Sequence, residues 1–214
     1  DLFVTNARSQ VHAAYRSVPP DENAPSWTDV RGELGPSFSG STGWGVTWAD
    51  LDLDTDLELL LVNGDIPVTD LAADAEPLEL FRGTRSGLLE PAAAAAGLDE
   101  VGALVGRGSA AADYDNDGDL DVAVGTIGGR LVLLENTGTG GNWLEVSLEG
   151  FHPGAAITAE LPDGRKLIRD VLAGSSYLSS EDPRAHFVLG DASRVRQLVV
   201  RWPGGEETTL EDVP

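Results

Sequence analysis

Nine residues near the middle of the chain, 113–121, read Asp-Tyr-Asp-Asn-Asp-Gly-Asp-Leu-Asp and carry a carboxylate at every second position. So many like charges in a short stretch repel one another unless a cation neutralises them. Calcium takes six to eight oxygen ligands at about 2.3–2.6 Å, and Asp-x-Asp-x-Asp-Gly begins a calcium-binding loop. The stretch therefore predicts a calcium site with the candidate ligands Asp113, Asp115, Asp117, Asp119 and Asp121.

Each position of this 113–121 loop has an expected task. Positions one, three and five offer side-chain oxygens, and Gly118 at position six permits a sharp turn. Asp119 at position seven is expected to offer its backbone carbonyl, and Asp121 at position nine to close the coordination shell. The loop differs from an EF-hand because position twelve is Val124 rather than Glu, and because its flanks alternate as strands do. The alternative is a solvated acidic turn without an ion.

A second acidic loop spans residues 50–58 and reads Asp-Leu-Asp-Leu-Asp-Thr-Asp-Leu-Glu. Its candidate ligands are Asp50, Asp52, Asp54, Asp56 and Glu58. Thr55 stands at position six, where a β-branched residue in the left-handed conformation costs about 1 kcal/mol or more. Glu58 stands at position nine, where the 113–121 loop has Asp121, and its carboxylate is carried on a longer side chain. We therefore expect a weaker site in the 50–58 loop, or one that has lost its ion.

The two loops belong to a longer internal repeat. Asp1 opens a stretch that aligns with those starting at Glu58 and Asp121, at intervals of 57 and 63 residues. The segments that begin at Tyr15, Phe81 and Leu134 each end a later strand of the repeat. A period near 60 with several short strands per unit is typical of β-propeller blades, so residues 1–141 are predicted to hold the end of one blade and two complete ones. Because a propeller usually needs about four to eight blades, further blades are expected on the same or another chain.

Composition and charge exclude several classes of function. The formal net charge of −22 argues against nucleic acid and anionic membranes as partners, because both would be repelled. The chain has no cysteine, which excludes disulfides and thiol catalysis, and no stretch approaches the 18 or so apolar residues of a membrane span. No Ser-His-Asp order, Gly-x-Ser-x-Gly elbow or glycine-rich phosphate loop is present, so we expect no enzyme.

The pattern changes after Gly141, and no further aspartate loop follows. Strand-like runs are predicted at residues 143–148, 156–161, 167–172, 186–189 and 197–202. The sequence Pro-Asp-Gly at 162–164 predicts a hairpin turn between two of them. Residues 142–214 are thus expected to form a small β-sandwich or barrel, whereas residues 19–43, rich in Pro, Gly, Ser and Asp, are expected to be loop-like. The predicted fold class is all-β throughout.

Two resemblances together cover nearly the whole chain. The 113–121 loop resembles the calcium loop of FG-GAP/VCBS repeats, the blades of integrin-type β-propellers. Four segments resemble the ASPIC/UnbV domain, which follows such repeats in secreted proteins: Asn-Trp-Leu at 142–144, Gly-Ser-Ser-Tyr-Leu at 174–178, Asp-Pro-Arg-Ala-His-Phe at 182–187 and Val-Arg-Trp-Pro-Gly at 200–204. The resemblance implies an extracellular or surface location and calcium-stabilised blades, and it implies no defined biochemical activity.

Two functions remain open at this point. The first is a non-catalytic, calcium-binding scaffold that mediates protein–protein adhesion or assembly, with a protein partner or further blades, and with oligomers possible. The second is a secreted glycan or small-molecule binding module accessory to an enzyme. A glycan site needs several exposed aromatic side chains on one surface. Trp44 and Trp48 are instead expected to pack between blades, which favours the scaffold.

Overall fold

A computed structural model describes residues 2–21, 24–38, 40–138 and 140–214. The described chain is all-β, with short 3-10 helices at Arg31–Glu33 and Leu98–Glu100. The strands are β1 Leu2–Val4, β2 Ala13–Asp21, β3 Ala24–Asp29, β4 Gly43–Ala49, β5 Glu58–Asn63, β6 Glu79–Gly83, β7 Leu89–Pro91, β8 Gly106–Ala112, β9 Asp121–Thr126, β10 Val132–Leu134, β11 Asn142–Val146, β12 Ala156–Glu160, β13 Lys166–Asp170, β14 Ala185–Gly190, β15 Val195–Arg201 and β16 Glu207–Val213. The expected all-β class is confirmed.

The N-terminal part forms three antiparallel sheets whose strand pairing repeats. Their orders are β1-β2-β3, β4-β5-β6-β7 and β10-β9-β8. The register is equivalent in all three sheets, with the pairs Leu2–Tyr15, Leu59–Phe81 and Val122–Leu134. These partners stand where the aligned sequence segments begin, although Asp1 itself lies outside the described residues. None of these small sheets closes on itself within the described chain, and the propeller stays a prediction.

Strand β5 is buried on both faces because the middle sheet packs between its neighbours. Leu59 and Leu61 contact the aromatic cluster of Phe38 and Phe81 on one side. Its alternate residues Leu60 and Val62 face the other way, against Ala111, Val122 and Val124 of the third sheet. Burying one such aliphatic side chain contributes about 1.5–3 kcal/mol, so this stacking supplies much of the stability of the repeats.

The C-terminal part, residues 142–214, contains a two-stranded sheet, β11-β14, and a four-stranded sheet in the order β13-β12-β15-β16. Both sheets contribute to one core, in which Ile157, Phe187 and Val195 are fully buried. The predicted turn at 162–164 joins β12 to β13, which pair antiparallel. Strand β16 was not predicted, because its side chains are almost all exposed and give no apolar alternation.

The loop expected over residues 19–43 is wrong for its first part. Strand β2 runs to Asp21 and pairs with β3, which ends at Asp29. The register shifts between Val18 and Asp21, where Pro19 and Pro20 lie. Proline has no N–H to donate, so this break in the ladder lets both prolines remain in a strand.

Candidate metal centre

Both acidic loops connect the first two strands of a repeat. The 50–58 loop joins β4 to β5, and the 113–121 loop joins β8 to β9. The carboxylates at positions one and nine are buried, with no more than 2% of the residue exposed for Asp50, Glu58, Asp113 and Asp121. A buried carboxylate must be hydrogen-bonded, protonated or bound to a cation, so these four residues define the interior of each site.

The carboxylate at position one braces the turn of each loop. Asp113 accepts hydrogen bonds from the backbone amides of Asp117 at 3.1 Å and Gly118 at 3.0 Å, at positions five and six. Asp50 accepts the equivalent bonds at 3.1 and 2.9 Å. The two loops therefore share one turn geometry although they differ in sequence.

The carboxylate at position nine ties each loop to its sheet. Asp121 accepts the backbone amide of Tyr114 at 3.0 Å and that of Asn136, just after β10, at 2.8 Å. Glu58 makes the same pair of bonds at 2.7 and 3.2 Å, the second from Gly83 at the end of β6. The position expected to close a metal shell thus also holds the loop to the third strand of its sheet.

The turn places positions four and six in the left-handed backbone region in both loops. Their φ angles are 63° for Asn116 and 99° for Gly118, and 61° for Leu53 and 81° for Thr55. Thr55 therefore adopts the conformation that a β-branched residue disfavours, by about 1–2 kcal/mol. The backbone strain expected at Thr55 from the comparison of the two loop sequences is thus present in the structure.

Three carboxylates converge in each loop, with one ligand atom from each lying within 4.8 Å of the others. The groups are Asp113, Asp115 and Asp117 in one loop, and Asp50, Asp52 and Glu58 in the other. Positions one and three recur in both groups. The third member differs: it is Asp117 at position five in the later loop and Glu58 at position nine in the earlier one, although Asp54 and Asp117 both accept the backbone amide two residues further on.

Asp119 is buried with 3% of the residue exposed, and neither of its carboxylate oxygens has a hydrogen-bond partner among the described residues. Burial and the nearby Asp117 raise the pKa of Asp119 to about 6. Sequence reasoning expected this residue to offer its backbone carbonyl and did not anticipate the burial of its side chain. A buried carboxylate without a hydrogen-bond partner is unfavourable unless it is protonated or binds a cation.

Burial also raises the pKa of three acidic residues of the 50–58 loop. It raises the pKa of Asp50 and of Glu58 to about 7, each also raised by the neighbouring Asp52. Burial, with help from Asp54, raises the pKa of Asp52 itself. Without a cation Asp50 and Glu58 are therefore partly protonated near neutral pH, and a divalent ion would compete with those protons.

The C-terminal part touches the 113–121 loop through residues that sequence reasoning left without a role. His186 Nε2 lies 2.9 Å from the carbonyl oxygen of Gly118. Arg184 donates to the carbonyl of Asp113 at 3.1 Å. Both residues belong to the Asp-Pro-Arg-Ala-His-Phe segment. The sequence identified this segment as part of the ASPIC/UnbV resemblance, but it did not indicate that the segment contacts the loop.

Comparison with known protein families identifies the class of the C-terminal part. Residues 149–214 match the protein family described as ASPIC and UnbV. This match confirms the resemblance of the C-terminal part, and with the structure it defines an all-β chain in which repeated acidic loops precede an ASPIC/UnbV region. The comparisons do not show FG-GAP/VCBS repeats in residues 1–141, so that resemblance stays a prediction.

Particular relatives extend the similarity upstream. The chain is 31% identical to cartilage acidic protein 1 of Homo sapiens over 175 residues, which cover 75% of this chain and 25% of that protein. It is 33% identical to cartilage acidic protein 1 of Mus musculus over 111 residues, covering 47% and 17% respectively. The chain thus spans a quarter or less of the length of these relatives. The matches support a relationship to the ASPIC/UnbV and cartilage acidic proteins.

No helix formed by the described residues is long and apolar enough to cross a membrane.

Proposed function

We propose that this chain is a calcium-binding, non-catalytic scaffold outside the cell or on its surface, which takes part in protein–protein adhesion or assembly. One observation carries the proposal: the same braced loop occurs twice, each time with three converging carboxylates. In the 113–121 loop the carboxylate of Asp119 is also buried and has no hydrogen-bond partner among the described residues. Similarity to proteins named cartilage acidic protein 1 supports the extracellular location.

The donor set favours calcium among the common metal ions. Both groups consist of carboxylates alone. Hard oxygen donors suit calcium and magnesium, whereas zinc and copper sites draw on histidine or cysteine. Magnesium demands near-ideal octahedral geometry and keeps several waters, while calcium accepts the irregular, carboxylate-rich shell that a short loop can offer. Bound calcium would also offset part of the net charge of −22.

The packing of the repeats supports the propeller and its further blades. Three antiparallel sheets of equivalent register stack face to face, as neighbouring blades do. Strands β1, β5 and β9 occupy equivalent places in the three sheets. Strand β5 pairs with β4 along its outer edge and β9 pairs with β8, whereas β1 has no such neighbour among the described residues. An edge of this kind can pair with a strand of a further repeat or of a partner protein.

Thermal unfolding in millimolar calcium, in excess chelator and in magnesium tests the proposal. One site at a free calcium concentration one hundred times its Kd adds about 2.7 kcal/mol. For a chain of this size that raises Tm by about 5–10 °C. We expect Asp115→Ala to abolish most of this rise, because Asp115 is an exposed member of the converging group. Asp99→Ala, an exposed acid outside both loops, is the matched control. An unchanged Tm in calcium would refute the metal-binding function.

Binding of a glycan or small molecule is a second candidate, favoured by one cavity. A cleft of about 830 Å³ is lined by Trp44, Trp48 and Tyr177, with Asp170 and Glu181 among its polar residues. Several aromatic side chains on one surface are what such a site needs. A glycan array probed with the wild-type chain and with Trp48→Ala would identify it.

The matched control for that experiment is Trp27→Ala, since Trp27 is also exposed but lies on β3 and does not line the cleft. Binding that is lost in the first variant and kept in the second would support this candidate. Absence of any glycan signal would leave the scaffold as the better proposal.

A further inference from the structure

Three side chains of the C-terminal part meet the 113–121 loop at the turn that shapes its ligand group. They are Trp143 on β11, Arg184 just before β14 and His186 on β14. Arg184 and His186 bind backbone carbonyls of the loop, and Arg184 also donates to the side chain of Asn116 at 3.2 Å. The two carbonyls belong to peptide groups whose N–H ends donate to a loop carboxylate.

His186 fixes the peptide group between Gly118 and Asp119. Its Nε2 lies 2.9 Å from the Gly118 carbonyl, which can only accept, so Nε2 carries the proton of this bond. The N–H at the other end of that planar group donates to Oδ1 of Asp117 at 3.2 Å. His186 therefore sets the plane that orients Asp117, a member of the converging group.

Arg184 fixes the peptide group between Asp113 and Tyr114 in the same way. Its Nη2 donates to the Asp113 carbonyl at 3.1 Å, and the N–H of Tyr114 donates to Asp121 at 3.0 Å. The guanidinium is itself held by Glu145 and by Asp182, each at 2.6 Å. These anchors fix the donor geometry of Arg184 on the C-terminal side of the contact.

Trp143 fills the space beside position six. Its ring lies nearly parallel to that of His186, with centroids 6.1 Å apart and an angle of 18° between the planes. A Cβ atom added at Gly118 would overlap the indole, so only glycine fits there while the two parts are in contact.

The 50–58 loop is not held in this way. Thr55 occupies its position six and receives one bond from Arg165, at 3.1 Å between exposed side chains. Among the described residues, no C-terminal side chain donates to the carbonyl of Asp50 or of Thr55. The earlier loop is therefore an internal control for the later one.

We infer that Arg184, His186 and Trp143 are positioning residues for the 113–121 cation site, so that ion occupancy there and docking of β11 and β14 onto the loop favour each other. The inference rests on the proposed calcium-binding function. Groups that orient metal ligands from outside the coordination shell commonly change affinity 10–100-fold when lost. Because coupling is reciprocal, an ion that organises the loop must also strengthen the contact with the C-terminal part.

Calcium titration calorimetry on the full chain tests the inference in two backgrounds. Asp52→Asn weakens the earlier loop, so that binding reports residues 113–121, and Asp115→Asn does the converse. We expect Arg184→Met to weaken calcium binding about tenfold in the first background and to leave it unchanged in the second. Arg194→Met is the matched control, because Arg194 pairs with Asp212, away from the loop.

Whether Arg184→Met weakens or tightens calcium binding distinguishes a positioning role of Arg184 from a purely electrostatic one. Removing the positive charge of Arg184 leaves Glu145 and Asp182 without their partner, so a purely electrostatic role predicts tighter calcium binding. Unchanged or tighter binding in Arg184→Met would overturn the inference while leaving the calcium-binding function intact. Absence of calcium binding by the wild-type chain would instead overturn the proposed function.

Two further measurements remain decisive if Arg184→Met does not fold. His186→Gln keeps an amide donor for the Gly118 carbonyl and should retain calcium affinity, whereas His186→Phe should lose it about tenfold. In the wild-type chain, calcium should slow amide hydrogen exchange in β11 and β14 as well as in the loop. Protection confined to residues before 142 would show that the two parts are not coupled.

Discussion

Asp119→Asn is expected to change stability in opposite directions with and without calcium. The pKa of Asp119 is raised from 3.8 to about 6 by burial and by Asp117, so its ionised form is disfavoured in the calcium-free protein. At 1.36 kcal/mol per pKa unit this corresponds to about 3 kcal/mol at pH 8. Water around the exposed loop residues screens part of that cost, so we expect Asn to stabilise the calcium-free protein by about 1–2 kcal/mol. With calcium bound, the lost charge should make the variant less stable than wild type.

Chemical denaturation at pH 8, in chelator and in millimolar calcium, measures both effects on one protein. Asparagine has nearly the shape of aspartate, and neither oxygen of Asp119 has a hydrogen-bond partner among the described residues, so no existing bond confounds the comparison. Asp99→Asn, on the surface, controls for the general effect of removing one negative charge. Stabilisation in both conditions would mean that the carboxylate does not serve the ion. Equal destabilisation in both would give Asp119 a purely structural role, and either result would refute the reasoning.

Two more predictions concern the earlier loop. Thr55→Gly removes a β-branched residue from a backbone position with φ 81°. We expect it to stabilise the protein by up to about 1 kcal/mol, because the relief of strain is partly offset by the greater freedom of glycine in the unfolded chain. A lower denaturation midpoint would contradict this. The pH dependence follows from Asp50 and Glu58, whose pKa values of about 7 exceed those of the unfolded chain. The folded protein therefore holds more protons between about pH 4 and 7, and its calcium-free stability falls as pH rises through that window. Calcium displaces those protons, so the calcium-induced rise in Tm should grow from pH 5 to pH 8, and a pH-independent rise would refute the assignment of these two carboxylates.

The sequence predicted the repeated units well because their information is local. An aspartate at every second position, bounded by alternating apolar residues, specifies a loop between two strands without reference to the rest of the chain. The pairs Leu59–Phe81 and Val122–Leu134 have equivalent registers although 22 residues separate the first pair and 12 the second, so the register is set by the strands and not by the length of the connection between them. Strand β16 escaped prediction because its residues are polar, and its place is set by pairing with β15 rather than by its own pattern.

The burial of Asp119 could not be predicted from the sequence. The alternating pattern assigns Asp119 to the same face as Asp117, which is exposed. Burial of a loop side chain depends on which segments pack over the loop, and those contacts join residues far apart in the chain. His186 shows the same limit. Its strand was predicted, but its hydrogen bond reaches Gly118, 68 residues earlier.

Position six nevertheless carried a signal that sequence comparison between the two loops could have used. Both loops place this residue in the left-handed region, and the 50–58 loop shows that Thr55 can occupy it. Backbone conformation alone therefore does not require Gly118. What requires glycine there is the indole of Trp143, which leaves no room for a Cβ atom. A glycine in one loop and a threonine in its counterpart thus distinguish the loop whose turn packs against the indole of Trp143 from the loop whose position six meets Arg165 instead. Gly118→Ala, which the turn alone would tolerate at a modest cost, is disfavoured chiefly because the two parts of the chain meet at that point.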